Sequence, residues 1–339
     1  MREQCERKEA NLMCAVVTSI HRPVPAMRML VKALKQTESE LIVVGDRKSP
    51  SDYPLPGASF YSLPAQRRLS WRLPKLLPED SYARKNVGYL IAIHRGASLI
   101  YETDDDTAPL ANWRLRSSQL EVQAVQCRGW YNVYQRFSRY PIWPRGFPLE
   151  EISRRQGTPR TLEPARRSYP IQQGLVDGSP DVDAIWRLVA QRPIRFARRS
   201  SIALRRGTWC PFNSQNTWWY PVAYPLMYLP THCSIRLTDI WRSFVAQRCL
   251  WEIDSAVVFH AADTFQRRNP HDLLSDFNQE ISGYLQNGAM CRSLSRLRLQ
   301  RGRRWIPANL RRCYECWVAE GFFPKAELNL LTAWLADLR

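Results

Sequence analysis

The sequence predicts an α/β fold, in which a mostly parallel sheet is flanked by helices and followed by a small helical appendage at the C-terminus. In the first third of the chain, apolar runs of strand length alternate with segments of helical periodicity. Acidic residues directly follow two of these runs. Near residue 290 the composition changes, since arginine becomes frequent and helical segments with tryptophan follow.

The predicted elements follow a strand–helix–strand order. The first two strands are almost continuous apolar runs, which is typical of strands buried on both faces. Gly96 is a suitable C-cap for the second helix. This order predicts parallel pairing with right-handed crossovers. In chain order we predict a strand at 13–20, a helix at 26–36, strands at 41–46 and 59–63, a helix at 82–96 and a strand at 98–103.

The composition is globular, with enough length for one large domain or two small ones. Of the 339 residues, 45% are hydrophobic and 24% are charged. Lysine and arginine number 49 against 31 aspartates and glutamates, which gives a formal net charge of +18. Such a surface attracts phosphorylated substrates, anionic lipid or nucleic acid. The sequence contains no recognisable nucleic-acid-binding motif, so we expect no nucleic-acid partner.

Three consecutive aspartates, Asp104 to Asp106, follow the strand at 98–103. Side chains alternate along an extended segment, so Asp104 and Asp106 can point the same way, with Asp105 opposite. Their hard oxygens suit Mg²⁺ or Mn²⁺, which takes phosphate oxygens as further ligands. A solvated acidic turn is the alternative. The metal interpretation is favoured because Asp46 ends another strand, and open parallel sheets bind ligands at the carboxyl ends of their strands.

Charged residues near these strand ends predict a nucleotide site. Asp46 can accept hydrogen bonds from a base edge or a ribose, while Arg84 and Lys85 can neutralise a diphosphate bridged by the cation. The alternatives are a simple turn residue for Asp46 and a solvated helix start for the two basic residues.

The second half of the chain holds further candidates. Residues 211–220 combine amides and hydroxyls with three aromatic rings, which suits a sugar or a turn over a core tryptophan. Asp239 begins a predicted helix and is either its cap or a catalytic acid or base on the acceptor side. His260 ends a predicted strand at 257–260 and is either a third metal ligand or an ordinary core or surface histidine.

The central region is less regular. Residues 108–170 are rich in arginine, proline and aromatic residues, and we predict few strands there. Three acids and two glycines in the segment 172–186 suggest either a loop facing a ligand or a plain turn.

Cysteine usage and the N-terminus indicate the compartment. Nine cysteines at irregular spacing favour a reducing environment, and the single CxxC pair has no further zinc ligands close by. Residues 1–8 are polar and precede no apolar signal region, and no run of about 18 apolar residues occurs. We therefore expect a cytoplasmic protein.

Several ordered motifs resemble the STELLO-type glycosyltransferases. The resemblance spans about residues 12–285. Its motifs are the segments 84–97, 100–106, 213–217, 238–242, 246–248 and 250–252. More distantly, the acidic triplet, the Arg-Gly-Phe-Pro turn at 145–148 and the loop at 180–184 are similar to the reversibly glycosylated polypeptides, which include UDP-arabinopyranose mutases.

The resemblance implies a GT-A-like, Rossmann-type fold and a metal-dependent glycosyltransferase that uses a nucleotide-diphosphate sugar, with a UDP-sugar as the preferred donor. Asp104, Asp105 and Asp106 would take the DXD position, and Asp46 would contact the nucleoside. The acceptor, a glycan or a protein, does not follow from the resemblance. Plant members carry an N-terminal membrane anchor and work in the Golgi, whereas this sequence predicts no anchor.

Two domains are expected on this basis. Residues 1–290 would form the nucleotide-sugar-binding domain and 291–339 a basic helical appendage. Its arginine-rich segment 295–304 can contact an anionic membrane surface or remain a solvated basic face. Two other functions stay open: a nucleotide-sugar mutase or self-glycosylating protein, with Arg145 as the attachment point, and a non-catalytic scaffold with the same fold.

Overall fold

The computed structural model describes residues 12–154, 159–190, 192–268 and 272–339, so the polar stretch 1–8 lies outside the described residues. The strands are β1 (Met13–Thr18), β2 (Glu40–Val44), β3 (Ala58–Tyr61), β4 (Leu99–Thr103), β5 (Thr107–Pro109), β6 (Gln119–Gln126), β7 (Gly129–Trp130), β8 (Arg160–Ser168), β9 (Ile171–Gly178), β10 (Ile202–Leu204), β11 (Thr208–Trp209), β12 (Asn216–Trp219) and β13 (Val257–Gln266). The α-helices are α1 (Pro25–Lys35), α2 (Leu63–Arg67), α3 (Leu73–Leu76), α4 (Lys85–His94), α5 (Val133–Phe137), α6 (Ala184–Ala190), α7 (Thr238–Leu250), α8 (Leu273–Arg296), α9 (Ile306–Ala319) and α10 (Glu327–Asp337).

One large sheet organises the described part of the chain. Its strand order is β3-β2-β1-β4-β12-β9-β13-β10-β6-β8, and β5 pairs with β13. The strands β3, β2, β1 and β4 are mutually parallel, as predicted. Beyond β4 the sheet is mixed, because β12 runs antiparallel to both of its neighbours. The predicted α/β class, with a large central sheet flanked by helices, is confirmed.

Strands from both halves of the chain have their carboxyl ends at one edge of this sheet. Since β12 is antiparallel to both β4 and β9, these two strands run in the same direction. β13 is parallel to β9. The carboxyl ends of β1, β2, β4, β9 and β13 therefore lie at the same edge, where sheets of this kind bind their ligands.

Apolar side chains of the N-terminal strands are buried against helices on both faces of the sheet. On β1, Cys14 and Val16 belong to one apolar cluster with α4, while Ala15 and Val17 belong to another with α1. Gly88 lets α4 approach closely, since a β-carbon at this position would lie 2.5 Å from a methyl carbon of Val16. This packing explains why residues 13–17 and 41–44 are apolar without interruption.

Two central segments differ from the prediction. The region 108–170 contains β6 and β8, which pair as antiparallel strands at the end of the sheet. Both expose many polar side chains, so their sequences lack the apolar signal of a strand. Residues 171–178 form the buried strand β9 instead of a loop. The side chains of Gln172 and Gln173 are buried and hydrogen-bonded inside the sheet. In the sequence these two polar residues are typical of a loop, which explains the wrong prediction.

The C-terminal helices pack on the main sheet domain. The predicted boundary after residue 290 falls inside α8. Trp317 of α9 and Trp334 of α10 are fully buried in the same apolar cluster as α4 and α7. The Asp337 carboxylate accepts hydrogen bonds from the backbone amides of Arg72 and Leu73, at 3.1 and 2.6 Å. Among the helices that the structure describes, none is long and apolar enough to cross a membrane.

Candidate active site

A pocket of about 510 Å³ opens at the edge where the five carboxyl ends meet. Its size is within the range of small-molecule binding sites. Residues that follow each of the five strands line it, namely Ser19 after β1, Asp46 after β2, Asp104 to Asp106 after β4, Asp181 after β9 and Arg268 after β13. The sheet topology thus brings together residues from distant parts of the sequence.

Asp104 lines this pocket and has two hydrogen-bond donors beneath it. The Tyr82 hydroxyl donates to its Oδ1 at 2.8 Å, and the Lys85 ammonium donates to the same oxygen at 3.3 Å. Its other oxygen, Oδ2, accepts no hydrogen bond from the described residues, and 30% of the side chain is exposed. Asp104 therefore presents a carboxylate oxygen to the pocket while Lys85 holds it from below.

Asp105 and Asp106 point to different partners because the triplet forms a turn. The Thr107 amide donates to the Asp104 carbonyl at 3.2 Å, which closes the turn. The Ser19 hydroxyl donates to Asp105 at 2.6 Å, and the Gln266 amide donates to Asp106 at 2.7 Å. Asp105 is thereby tied to the β1 side of the pocket and Asp106 to the β13 side.

The three carboxylates disfavour one another's ionisation. The pKa of Asp104 is raised to about 6, mainly by burial and further by the charge of Asp106, although the charge of Lys85 opposes this shift. Burial also raises the pKa of Asp105 and of Asp106, each with a contribution from its preceding aspartate. A cation bound near these carboxylates would relieve part of this repulsion.

A buried polar network supports the triplet. Lys85 is fully buried, and its ammonium also donates to the Thr103 carbonyl at 2.7 Å and to the Tyr82 hydroxyl at 2.9 Å. Glu102, 4.0 Å from Lys85, pairs with the Arg242 guanidinium at 2.9 Å. Lys85 thus lies beside Asp104 but beneath the pocket surface, and its predicted contact with a diphosphate stays a prediction.

Asp46 lines the pocket at its β2 side, and its carboxylate is hydrogen-bonded to backbone amides of the protein. Its carboxylate accepts hydrogen bonds from the backbone amides of Arg47, Asp80 and Ser81 at 2.7, 3.0 and 2.9 Å. The carboxylate therefore fixes the segment 80–81 against the end of β2. This segment leads directly to Tyr82, which also lines the pocket.

Arg84 touches the pocket wall, but its guanidinium is directed into the protein. It donates to the Gln66 side chain at 2.9 Å and to the carbonyls of Leu77, Pro78 and Pro74 at 3.0, 3.3 and 3.4 Å. These bonds hold the segment 74–78 in place. The structure therefore does not bring the Arg84 charge to the triplet.

Asp239 lies in the pocket wall within a buried ion-pair cluster. Arg145 donates to both of its oxygens at 3.0 Å and to both oxygens of Asp181 at 2.7 Å. The amides of Ser214 and Ile240 also donate to Asp239 at 3.0 Å. Burial opposes ionisation, but the Arg145 charge outweighs it and lowers the pKa of Asp239, so this carboxylate is a weak proton acceptor.

Arg145 is fully engaged in this cluster. With a further bond to the Arg236 carbonyl, all five N–H donors of its guanidinium have partners. A covalent attachment to Arg145 would break these contacts, which weighs against a self-glycosylation role for this residue.

His260 does not reach the triplet. Its ring nitrogens bond to the Ser201 hydroxyl at 2.7 Å and to the Gln172 amide oxygen at 3.0 Å. β13 continues for six residues to Gln266, the partner of Asp106, which corresponds to roughly 20 Å of extended strand. The predicted third ligand is therefore a histidine buried in the sheet, because β13 is longer than the predicted strand at 257–260.

The segment 211–220 divides between core and pocket. Trp218 and Trp219 of β12 are fully buried, and Trp219 donates to Glu102 at 2.8 Å. Asn213 and Gln215 line the pocket. Their side-chain amides donate hydrogen bonds within the protein, to the Tyr134 hydroxyl at 3.3 Å and to the Gln266 amide oxygen at 2.6 Å, while the two indole rings belong to the core.

Sequence reasoning missed several residues of the pocket. Ser19 directly follows β1, which is shorter than the predicted strand at 13–20, and Gln266 ends β13, which is longer than the predicted strand at 257–260. With the correct strand lengths, the strand-end argument would have found both residues. Arg187, Arg236 and Arg268 converge from three unconnected segments, and no local pattern marks them. Within the residues that the structure describes, no group of three or more histidine, cysteine, aspartate or glutamate side chains is arranged to hold a metal ion.

Comparisons with known proteins agree with the predicted resemblance. The sequence profile of the STELLO glycosyltransferases matches residues 236–339. The probable glycosyltransferase STELLO1 of Arabidopsis thaliana is 29% identical over 345 residues, and STELLO2 of the same plant is 29% identical over 350 residues. Each alignment covers 95% of this chain and 44% of the relative, so the chain spans less than half of their length. The predicted similarity to the STELLO-type glycosyltransferases is confirmed.

Solved structures show a weaker likeness in overall architecture. Glucosyl-3-phosphoglycerate synthase from Mycobacterium tuberculosis, in complex with phosphoglyceric acid, has a TM-score of 0.43 and 11% identity, covering 83% of this chain and 81% of that one. The same enzyme in complex with Mn²⁺ and UDP-glucose has a TM-score of 0.41 and 12% identity, covering 83% and 80%.

Proposed function

We propose that this chain is a glycosyltransferase that binds a nucleotide-diphosphate sugar, preferably a UDP-sugar, through Mn²⁺ or Mg²⁺ at Asp104 and Asp106. One observation carries the proposal: the three-aspartate turn at the carboxyl end of β4 lines a 510 Å³ pocket, together with residues that follow four other strands. The similarity to two proteins called probable glycosyltransferases supports this reaction class.

The triplet suits a cation that is shared with a phosphate group. Mg²⁺ typically takes one or two carboxylates and completes its shell with water and substrate phosphates. Asp104 has an oxygen without a hydrogen bond from the described chain, and burial with mutual repulsion raises the pKa of all three aspartates. When bound, the cation would neutralise the charge that develops on the leaving diphosphate.

The remaining residues position this centre. Lys85 orients Asp104 from below and offsets part of the negative charge of the triplet. Asp46 fixes the segment 80–81 on the side where the nucleoside would lie. Asp239 holds Arg145 on the acceptor side, and because its pKa is lowered we assign it an orienting role instead of proton removal. We assign Arg84 no contact with the donor, because its guanidinium is hydrogen-bonded to other residues of the protein.

The test is a thermal-shift panel of UDP-, GDP- and ADP-sugars, each with and without Mn²⁺. We expect metal-dependent stabilisation by one nucleotide class, about 2.7 kcal/mol at a hundredfold excess over Kd. The double variant Asp104→Asn with Asp106→Asn should lose this stabilisation. Asp52→Asn is the matched control, because Asp52 forms only an exposed ion pair with Arg22 outside the pocket.

Two results would contradict the proposal. One is a double variant that binds the donor as well as the wild type does. The other is the absence of a shift with every nucleotide sugar. Donor binding without sugar transfer or hydrolysis would instead favour the scaffold function. Cytoplasmic localisation stays a prediction, and so does membrane contact through the segment 295–304, whose first two residues are the last of α8.

A further inference from the structure

Three arginines converge at the side of the pocket formed by β9 and β13. Arg268 follows β13, Arg187 lies on α6 after β9, and Arg236 precedes α7. In the sheet order, β4 with the triplet lies between this side and β2, which carries Asp46. The arginines are therefore on the opposite side of the candidate cation site from the end assigned to the nucleoside.

Two of the three guanidinium groups have carboxylate partners. Arg268 pairs with Asp276 at 2.6 Å, and the Arg236 Nε donates to Glu280 at 2.9 Å. These ion pairs hold both groups in place at the pocket wall. Because guanidinium groups carry several donors, such pairs can still bind an oxyanion through their remaining N–H groups.

Arg187 differs from its two neighbours. One of its terminal nitrogens donates to the Pro180 carbonyl at 2.7 Å, and among the described residues no carboxylate lies in an ion pair with it. Its Nε is buried and has no hydrogen-bond partner. Burial, followed by the charges of Arg268 and Arg236, lowers the pKa of Arg187 to about 9. The side chain is thus a sheltered cation that an added anion would stabilise.

We propose that Arg187, together with Arg236 and Arg268, binds an anionic group of the acceptor, either a phosphate or a carboxylate. Planar guanidinium groups recognise such oxyanions in a bidentate manner. The assignment to the acceptor rests on the proposed function, since it places the donor nucleotide on the β2 side of the triplet. The donor's own diphosphate has the same chemistry, so the experiment must separate these two sources.

Inorganic phosphate is the probe, and its affinity is measured by calorimetry at constant ionic strength, without and with saturating UDP and Mg²⁺. We expect phosphate to bind in both conditions. Arg187→Gln should weaken phosphate binding on the order of tenfold to a hundredfold, because it removes charge-assisted hydrogen bonds. Arg187→Lys keeps the positive charge but lacks the planar guanidinium group. Its affinity for phosphate should lie between that of the wild type and that of Arg187→Gln.

Arg195→Gln is the matched control, since it removes the same charge from an exposed position outside the pocket. It should bind phosphate like the wild type. Circular dichroism and the melting temperature establish that each variant is folded, and Arg187→Lys keeps the test informative if Arg187→Gln is unstable.

Each outcome decides a different claim. Loss of phosphate binding when UDP and Mg²⁺ are present would overturn the acceptor assignment and make the arginines a donor diphosphate site. Equal phosphate affinity of Arg187→Gln and Arg195→Gln, or no binding of phosphate to the wild type, would overturn the anion site itself. Phosphate binding that depends on Arg187, in a protein that binds none of the UDP-, GDP- and ADP-sugars, would support the anion site and refute the proposed function.

Discussion

Replacing Arg242 by methionine should lower the free energy of unfolding by about 3 kcal/mol, because it breaks a buried ion pair. Arg242 is 1% exposed and Glu102 is 0% exposed, with 2.9 Å between the guanidinium and the carboxylate. Removing one partner of such a pair leaves an uncompensated charge in the core, which typically costs about 3–5 kcal/mol. We expect the lower end, since Lys85 stays 4.0 Å from Glu102, and Trp219 and Tyr89 still donate to it.

The assay is urea unfolding of Arg242→Met, Glu102→Gln and the double variant at neutral pH. Both single variants leave a buried charge, so the double variant should lose less than the sum of the single losses, by about 1–3 kcal/mol. Arg95→Met is the control, because Arg95 pairs with Glu40 at the surface and should change stability by at most about 1 kcal/mol. A loss from Arg242→Met no larger than that of the control, or strictly additive losses, would refute the reasoning.

Three further predictions concern packing and pH. Gly88→Ala should lower the free energy of unfolding by about 1–3 kcal/mol, because the added methyl group would meet Val16 and Val44 at 2.5 and 2.8 Å; unchanged stability in urea would contradict this. A chain truncated after residue 297 should not fold cooperatively, because it exposes core around two buried tryptophans; a sharp calorimetric transition would contradict this. Burial raises the pKa of Asp183 to about 6, so its folded form holds a proton more tightly than its unfolded form, and the wild type should gain about 1 kcal/mol relative to Asp183→Asn between pH 7.5 and pH 5; a constant difference would contradict this.

Local patterns were sufficient where neighbouring residues in sequence share one environment. Residues 13–17 and 41–44 are buried between helices on both faces of the sheet, so all of them are apolar and the strands are visible in the sequence. The acidic triplet was found for a similar reason, since its three residues form one turn at the end of β4. The motifs around 84–106 and 238–252 were long enough to indicate the similarity to the STELLO-type glycosyltransferases.

Patterns misled where a side chain's partners are far away in sequence. Arg84 and Lys85 are adjacent, yet one binds carbonyls of the segment 74–78 and the other lies beneath the triplet. His260 looked like a strand-end ligand until the full length of β13 moved it into the sheet. The buried amides of β9 looked like a loop because the sequence does not display their hydrogen-bond partners.

The order of apolar runs and the position of the acidic triplet follow from the sequence alone. A strand buried on both faces requires consecutive apolar residues, and the end of such a strand is visible where polar residues begin. The composition of the pocket was decided only by the tertiary structure. β12 runs antiparallel between β4 and β9, which places the carboxyl ends of β9 and β13 at the edge that carries the triplet. This long-range pairing brings Asp181, Arg187 and Arg268 beside residues more than 70 positions away in sequence, and no local pattern encodes such pairings.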